Sequence, residues 1–340
     1  MVSVFLYALN AVLPILLLIA LGYFLRRISF FDDKVVKGTN KLVFRVFLPT
    51  LLFCNIYDVE SLAVFDWATV LYCVIGVLVL CGLGVVVALL WIPDRKQRGV
   101  VVQCVYRSNF AVIGLPLGAA LGGEEVSALV ALVSAIIIPI FNILAVIVLT
   151  VFVGEEHGES RSGALRGILK RIVTNPLIIG VISGLIALCI RAMIPVGADG
   201  QKLFLLSRDV PMIWQVIRWL ANAATPLALI ALGGQFNFSA TGRLIKPILI
   251  GTLGRIVVAP LLGIGVAYCL SVAGIMTAGS AQYATYIALF GSPVAVSSAI
   301  MAAEMHNDEQ LAGQYVVWTS AGSAVTIFLI AAVCRYAGLL

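Results

Sequence analysis

The sequence predicts an all-α integral membrane protein with ten transmembrane helices, built as two inverted repeats of five. Three observations predict it. Of 340 residues, 62% are hydrophobic and only 11% are charged, against roughly 25% charged in soluble domains. With a mean hydropathy of +1.11, most helices are apolar on every face and belong in lipid. A window of about 19 residues finds ten apolar runs. The central stretch of soluble composition, GEEHGESRSGALRGILK (Gly154–Lys170), divides them five and five. An odd number of spans per half gives the halves opposite topology, so any internal symmetry is an inverted repeat.

The runs follow in order. Val4–Leu25 is long enough to span, has no basic segment before it and is followed by Arg26-Arg27, so it reads as a retained first span and not as a secretory leader. Thr39–Ile56 carries Arg45 and Pro49. Trp67–Trp91 is uniformly apolar. Gly99–Leu121 contains VYRSNFAVIGLPLG, which places Arg107, Asn109 and a Gly114-Leu115-Pro116 breaker inside a membrane run. Val126–Phe152 closes the first half. The second half supplies Val173–Met193, Ile213–Gly234, Leu244–Leu270, Ile275–Met301 and Leu311–Tyr336. The repeats are thus expected at 1–153 and 173–340, with a short linker at 154–172.

The basic residues test this map. Alternate connections gather fourteen Lys and Arg on one side, from Arg26 to Lys246, and four on the other, Arg191, Lys202, Arg208 and Arg335. The rich side is expected to be cytoplasmic, which puts both termini outside a plasma membrane, or an inner membrane in a bacterium. The net charge of +6 is explained by these loops, and no nucleic-acid partner is expected. The seven cysteines fall in or beside apolar runs with no C-x-x-C pair. They read as small buried hydrophobes, and neither a metal nor a cofactor is expected.

Two spans carry corresponding breakers: Gly114 and Pro116 in the fourth, Gly291 and Pro293 in the ninth. Proline removes an N–H and clashes with the preceding turn. In lipid such breaks are tolerated only where they are buried in protein or line a wet cavity. In corresponding helices of two inverted halves they point to a transport site near the midplane. No Asp or Glu lies in the interior of any span, whereas Arg107 and Arg255 lie about two turns, roughly 10 Å, inside theirs. Either they mark a positive site or they snorkel to the interface. A positive cavity selects an anion, and arginine recognises carboxylate bidentately. Ser292, Ser297 and Ser298 could supply hydroxyls, with Asn55 a further polar candidate.

Four stretches together resemble the auxin efflux carrier family, whose bacterial members include proposed organic-acid carriers and whose plant members are the PIN proteins: RSNFAVIGLPL (Arg107–Leu117), TNPLIIG (Thr174–Gly180), ATPLALIALGGQF (Ala224–Phe236), and SPVAVSSAIMAAEM followed by DEQLAGQYVVWTS. The resemblance implies a bile-acid-symporter/NhaA-like architecture in which interrupted spans four and nine cross at the substrate site. It implies a scaffold from spans one, two, six and seven, a mobile transport domain from spans three to five and eight to ten, elevator-type transport and a homodimer. The plant members break span four at a Pro-Asn pair; here the Asn falls on Asn109 and the Pro on Ser108, while the span-nine proline falls on Pro293. The expected substrate-binding set is therefore Arg107, Ser108, Asn109, Ser292, Pro293, Val294, Ser297 and Asn55.

The function expected is secondary transport of small organic anions, mono- or dicarboxylates of the auxin or malonate kind. The alternative is a sodium-coupled symporter of the bile-acid type or an anion channel. The missing intramembrane carboxylates count against the symporter. A membrane enzyme would need a nucleophile and base, a metal site or paired aspartates, and the spans hold none of these. A receptor would need an attached signalling domain, for which the short linker leaves no room.

Overall fold

The structure, a computed structural model, describes residues 2–58, 66–153, 170, 172–196 and 202–340. Most of the expected linker at 154–172, with Arg161 and Arg166, lies outside the described residues. Every element described is helical: α1 (Val2–Arg27), α2 (Asp33–Leu42), a π-turn π1 (Val43–Phe47), α3 (Leu48–Tyr57), α4 (Trp67–Trp91), α5 (Arg95–Tyr106), π2 (Phe110–Gly114) and α6 (Leu115–Val151). The chain continues with α7 (Pro176–Met193), α8 (Leu206–Asp209), α9 (Pro211–Gln235), α10 (Ser239–Arg243), α11 (Ile245–Leu253), π3 (Gly254–Val258), π4 (Leu261–Gly265), α12 (Val266–Val272), α13 (Ser280–Gly291), α14 (Ser297–Glu304) and α15 (Glu309–Tyr336).

Among the described residues, six helical stretches are long and apolar enough to cross a membrane: Trp67–Trp91, Val126–Val151, Pro176–Met193, Pro211–Gln235, Ile245–Val272 and Glu309–Tyr336. Short polar side chains cap the helix starts. Asp32, Asp66, Asp94, Asn175 and Asp308 each accept a backbone N–H from the first turn of the helix they precede, which satisfies donors that the helix itself leaves orphaned. At the Asp66 cap, hydrogen bonds from Gln282 and Thr69 outweigh partial burial and hold the carboxyl below its usual range. Within α6, Gly122 and Gly123 leave the helical region, Gly123 with a φ of 72°, and this bend separates the fourth expected run from the fifth.

Three prolines act on their helices in one way. Pro49, Pro116 and Pro260 each stand two residues after a π-turn. Across those turns Leu48 donates to the Val43 carbonyl, Leu115 to Phe110 and Ala259 to Gly254, each reaching back five residues instead of four. A proline ring cannot donate and presses on the carbonyl four residues before it; one extra residue in the preceding turn swings that carbonyl aside. Pro14, Pro139 and Pro226 sit inside helices with no π-turn before them. Pro116 is therefore not where the fourth run breaks. The helix widens at Phe110–Gly114 and continues through Pro116, and Gly114 belongs to the widened turn.

Two helix pairs carry the packing away from these breaks. α1 lies along α9, and α3 lies along α7. The first pair meets backbone to backbone. A Cβ built on Gly22 would stand 2.0 Å from the Ile230 carbonyl oxygen, and one on Gly233 would stand 2.0 Å from that of Ile19. In the second pair, Gly180 faces the Pro49 carbonyl at 2.6 Å in the same sense. Buried apolar residues form two main clusters. One gathers α1, α3, α7 and α9, the other α4 and α13; α5 contributes Val101 and Cys104 to the first and Val102 and Val105 to the second, and α6 likewise divides, with Ile138 and Leu149 in the first and Val130 and Phe141 in the second. The interrupted helices lie on the seam between the two clusters.

Gly22→Ala is expected to lower the melting temperature of the detergent-purified protein, because forcing atoms into a packed interface costs about 1–3 kcal/mol. Gly82→Ala, where an added Cβ meets nothing within 4 Å, is the control. Equal melting of the two variants would disprove the close α1–α9 contact.

Candidate functional site

The site is built where two helices stop. α5 ends at Tyr106, and Arg107 turns extended, with φ −88° and ψ 105°. The helix resumes at Phe110. α13 ends at Gly291, Ser292 turns extended, with φ −66° and ψ 149°, and α14 begins at Ser297. The second stop follows from Pro293, which has no N–H and disfavours helix in the residue before it. The first stop has no proline. Ser108 stands there, and the interruption is held by its neighbours.

The two open segments pair with each other. Ser108 and Val294 form an isolated antiparallel bridge. Asn109 donates its backbone N–H to the Pro293 carbonyl at 2.7 Å, and Ala295 donates to Arg107 at 3.3 Å. Val294 donates to the Thr319 hydroxyl of α15 at 3.1 Å. Three amides and two carbonyls of the open segments are thereby satisfied inside the protein.

Arg107 is buried, 3% exposed. Its guanidinium donates to the Asn142 amide oxygen at 2.8 Å, to the Ser297 hydroxyl at 3.0 Å and to the Met301 sulfur. These partners are all neutral. Among the described residues no carboxylate forms an ion pair with it; the exposed pairs Arg26–Asp33, Arg208–Asp209 and Arg218–Asp58 lie elsewhere. Beside it, the Asn109 amide nitrogen and the Ser108 hydroxyl are buried and have no hydrogen-bond partner among the described residues. A cavity opens onto these groups. Its polar wall is Arg107, Ser108, Asn109, Asn142, Ser297, Asn55 and Thr225, and the rest is apolar, including Leu48, Leu52, Val112, Ile138, Phe141 and Leu177.

Of the expected binding residues, Arg107, Ser108, Asn109, Ser297 and Asn55 meet at this cavity. Ser292, Pro293 and Val294 are not in its wall. The Ser292 hydroxyl donates back to the Ala288 carbonyl, and Pro293 and Val294 are engaged through their backbone. Gly114, Pro116 and Gly291 are also outside it. Asn142 and Thr225 are wall residues that the sequence reading did not single out. The signal for Asn142 is faint: one amide in the apolar run IIIPIFNILAV, three residues after Pro139.

The second intramembrane arginine is elsewhere. Arg255 is fully buried, 0% exposed. It donates to the carbonyls of Val105 and Tyr106 at 3.2 Å each, to Leu289 at 3.3 Å and to Phe290. Snorkelling is excluded for both arginines. Farther along, α14 closes on Glu304, where it meets α2 and π1. Burial raises the Glu304 carboxyl above its usual range, against the opposing fields of Arg45, Lys41 and His306.

A family model described as membrane transport protein matches residues 7–331. An uncharacterized transporter of Methanothermobacter thermautotrophicus is 25% identical over 334 residues, covering 95% of this chain and 97% of the relative. An uncharacterized transporter of Methanocaldococcus jannaschii is 24% identical over 260 residues, covering 74% of this chain and 76% of the relative.

Asn142→Leu should destabilise the protein by about 1.5–3 kcal/mol, because it removes a buried hydrogen bond to a charged group. Asn142→Asp keeps the shape and gives Arg107 a counter-charge, so it should melt well above Asn142→Leu. A thermal melt that ranks the two variants equally would show that Asn142 does not hold Arg107.

Proposed function

The chain belongs to the membrane transport protein family, a multi-pass family of the auxin efflux carrier type, and from that premise we propose that it is a secondary carrier for small organic anions. The observation that carries this reading is Arg107: a buried guanidinium whose partners among the described residues are all neutral, in the wall of a cavity beside the Asn109 amide and Ser108 hydroxyl, which find no partner among those residues. A charge buried without a counter-charge is costly, and a bound anion removes that cost. The resumed helices at Phe110 and Ser297 begin at the same place, and helix N-termini favour negative charge.

The cavity also suggests the shape of the anion. Its cationic and hydrogen-bonding groups are grouped around Arg107, and most of the remaining wall is aliphatic or aromatic. A single carboxylate carrying a compact apolar body suits this division. The second charge of a dicarboxylate would find only Asn55 and Thr225 outside that group.

The transport mechanism proposed is alternating access by an elevator movement between two inverted five-helix repeats. The helix pairing supports it. α1 on α9 joins the first expected span to the seventh, and α7 on α3 joins the sixth to the second. An axis in the membrane plane that exchanges the halves would exchange these pairs, and both meet through glycine against carbonyl. In this reading those four spans are the stationary scaffold, and the crossing helices with α4, α6, α11–α12 and α15 move.

The test is uptake by proteoliposomes across a panel of mono- and dicarboxylates, with the anion-induced thermal shift measured alongside. Aromatic and branched monocarboxylates should be taken up in preference. Arg107→Gln and Asn142→Asp should each weaken anion binding at least tenfold, the second by occupying Arg107 with an internal carboxylate. Uptake that is strictly sodium-dependent, or unchanged in both variants, would overturn the proposal.

A further inference from the structure

The geometry points to Arg255 as the positioning residue of the crossing: the cation that binds the C-terminal ends of both interrupted helices and thereby holds their open segments together. α5 and α13 both end at the crossing, and each presents terminal carbonyls that no later turn can use. Arg255 takes two from each, Val105 and Tyr106 from α5, Leu289 and Phe290 from α13. A helix C-terminus carries about half a negative charge, so two of them amount to about one counter-charge for one guanidinium. This explains how a fully buried arginine persists with no carboxylate bonded to it among the described residues.

The sequence around Arg255 is arranged for this task. Pro260 lies two residues beyond the π-turn Gly254–Val258, and Arg255 is the second residue of that turn. The preceding Gly254 brings the backbone against α5; a Cβ there would stand 2.9 Å from a Val105 methyl. Lysine keeps the charge with three donors and serves most of this role, whereas glutamine has a pair of donors without the charge.

Arg255 also explains why the α5 interruption needs no proline. With the Tyr106 carbonyl bound to it, the last turn of α5 is satisfied without continuing the helix, and Arg107 is free to turn extended. The crossing then has a neutralised side at Arg255 and an uncompensated positive side at Arg107. This inference concerns how the crossing is held and does not depend on what the cavity carries.

The test reads the pairing directly. Ser108→Cys with Val294→Cys places two thiols on antiparallel bridge partners, which lie within disulfide reach. The rate of oxidative cross-linking in the full-length protein in nanodiscs is followed by peptide mass spectrometry of the 108–294 linkage. Arg255→Lys should slow cross-linking no more than about threefold. Arg255→Gln and Arg255→Met, of comparable size and uncharged, should slow it tenfold or more. A merely space-filling side chain would leave the Met variant cross-linking at the parent rate, which would overturn the proposal. If Arg255→Met does not fold, the Lys and Gln variants decide: equal rates overturn the role of charge, and so does failure of Arg255→Lys to fold. No substrate enters the measurement, so its outcome is separate from that of the uptake assay.

Discussion

Asn109 gives its backbone N–H to Pro293, and Ala295 gives its own to Arg107; the rest of the site depends on this exchange. In hydrocarbon an unpaired backbone group costs several kcal/mol, and an interrupted helix exposes several at once. Either interruption alone would be prohibitive. Crossing them lets each supply part of what the other has lost, and Thr319 accepts the Val294 amide. The cavity, the buried arginine and the unpartnered amide all exist because the chain can be open here without being unsatisfied.

Charge then divides the crossing. Two helix ends give their carbonyls to Arg255, whereas Arg107 meets only neutral side chains at the cavity wall, near where the helices resume. The same residue type stands on both sides with opposite consequences. On one side it is matched by backbone dipoles. On the other it is bonded to neutral side chains and borders the cavity. The interiors of the apolar spans contain no carboxylate to cancel its charge, which is why the proposed cargo is an anion.

Much of this was legible in the residues, and the remainder was illegible for definite reasons. Composition decided the membrane class, and Pro293 marked its break because proline acts on its own backbone. The fourth-span break was legible only by aligning Asn109 with a family pattern; Gly114 and Pro116 suggested the wrong place, since a π-turn absorbs that proline. Arg107 was visible as an intramembrane cation, but its depth alone could not separate burial from snorkelling. Asn142 is a single amide whose meaning depends on a neighbour 35 residues away. The partners of Arg255 are carbonyl oxygens, which every residue has and no sequence pattern announces.

The π-turns carry one last consequence. Each inserts a residue without lengthening its helix by a turn, so everything beyond it is rotated by about 100°. The three that precede prolines all adjoin the crossing. Beyond π1 come Leu48, Leu51, Leu52 and Asn55, which face the cavity; π2 follows directly on Asn109; π3 holds Arg255. A relative lacking one of these residues would turn a different stripe of side chains inward with its sequence otherwise unchanged. A one-residue gap opposite any of these turns should therefore be read as a change of recognition and not of length.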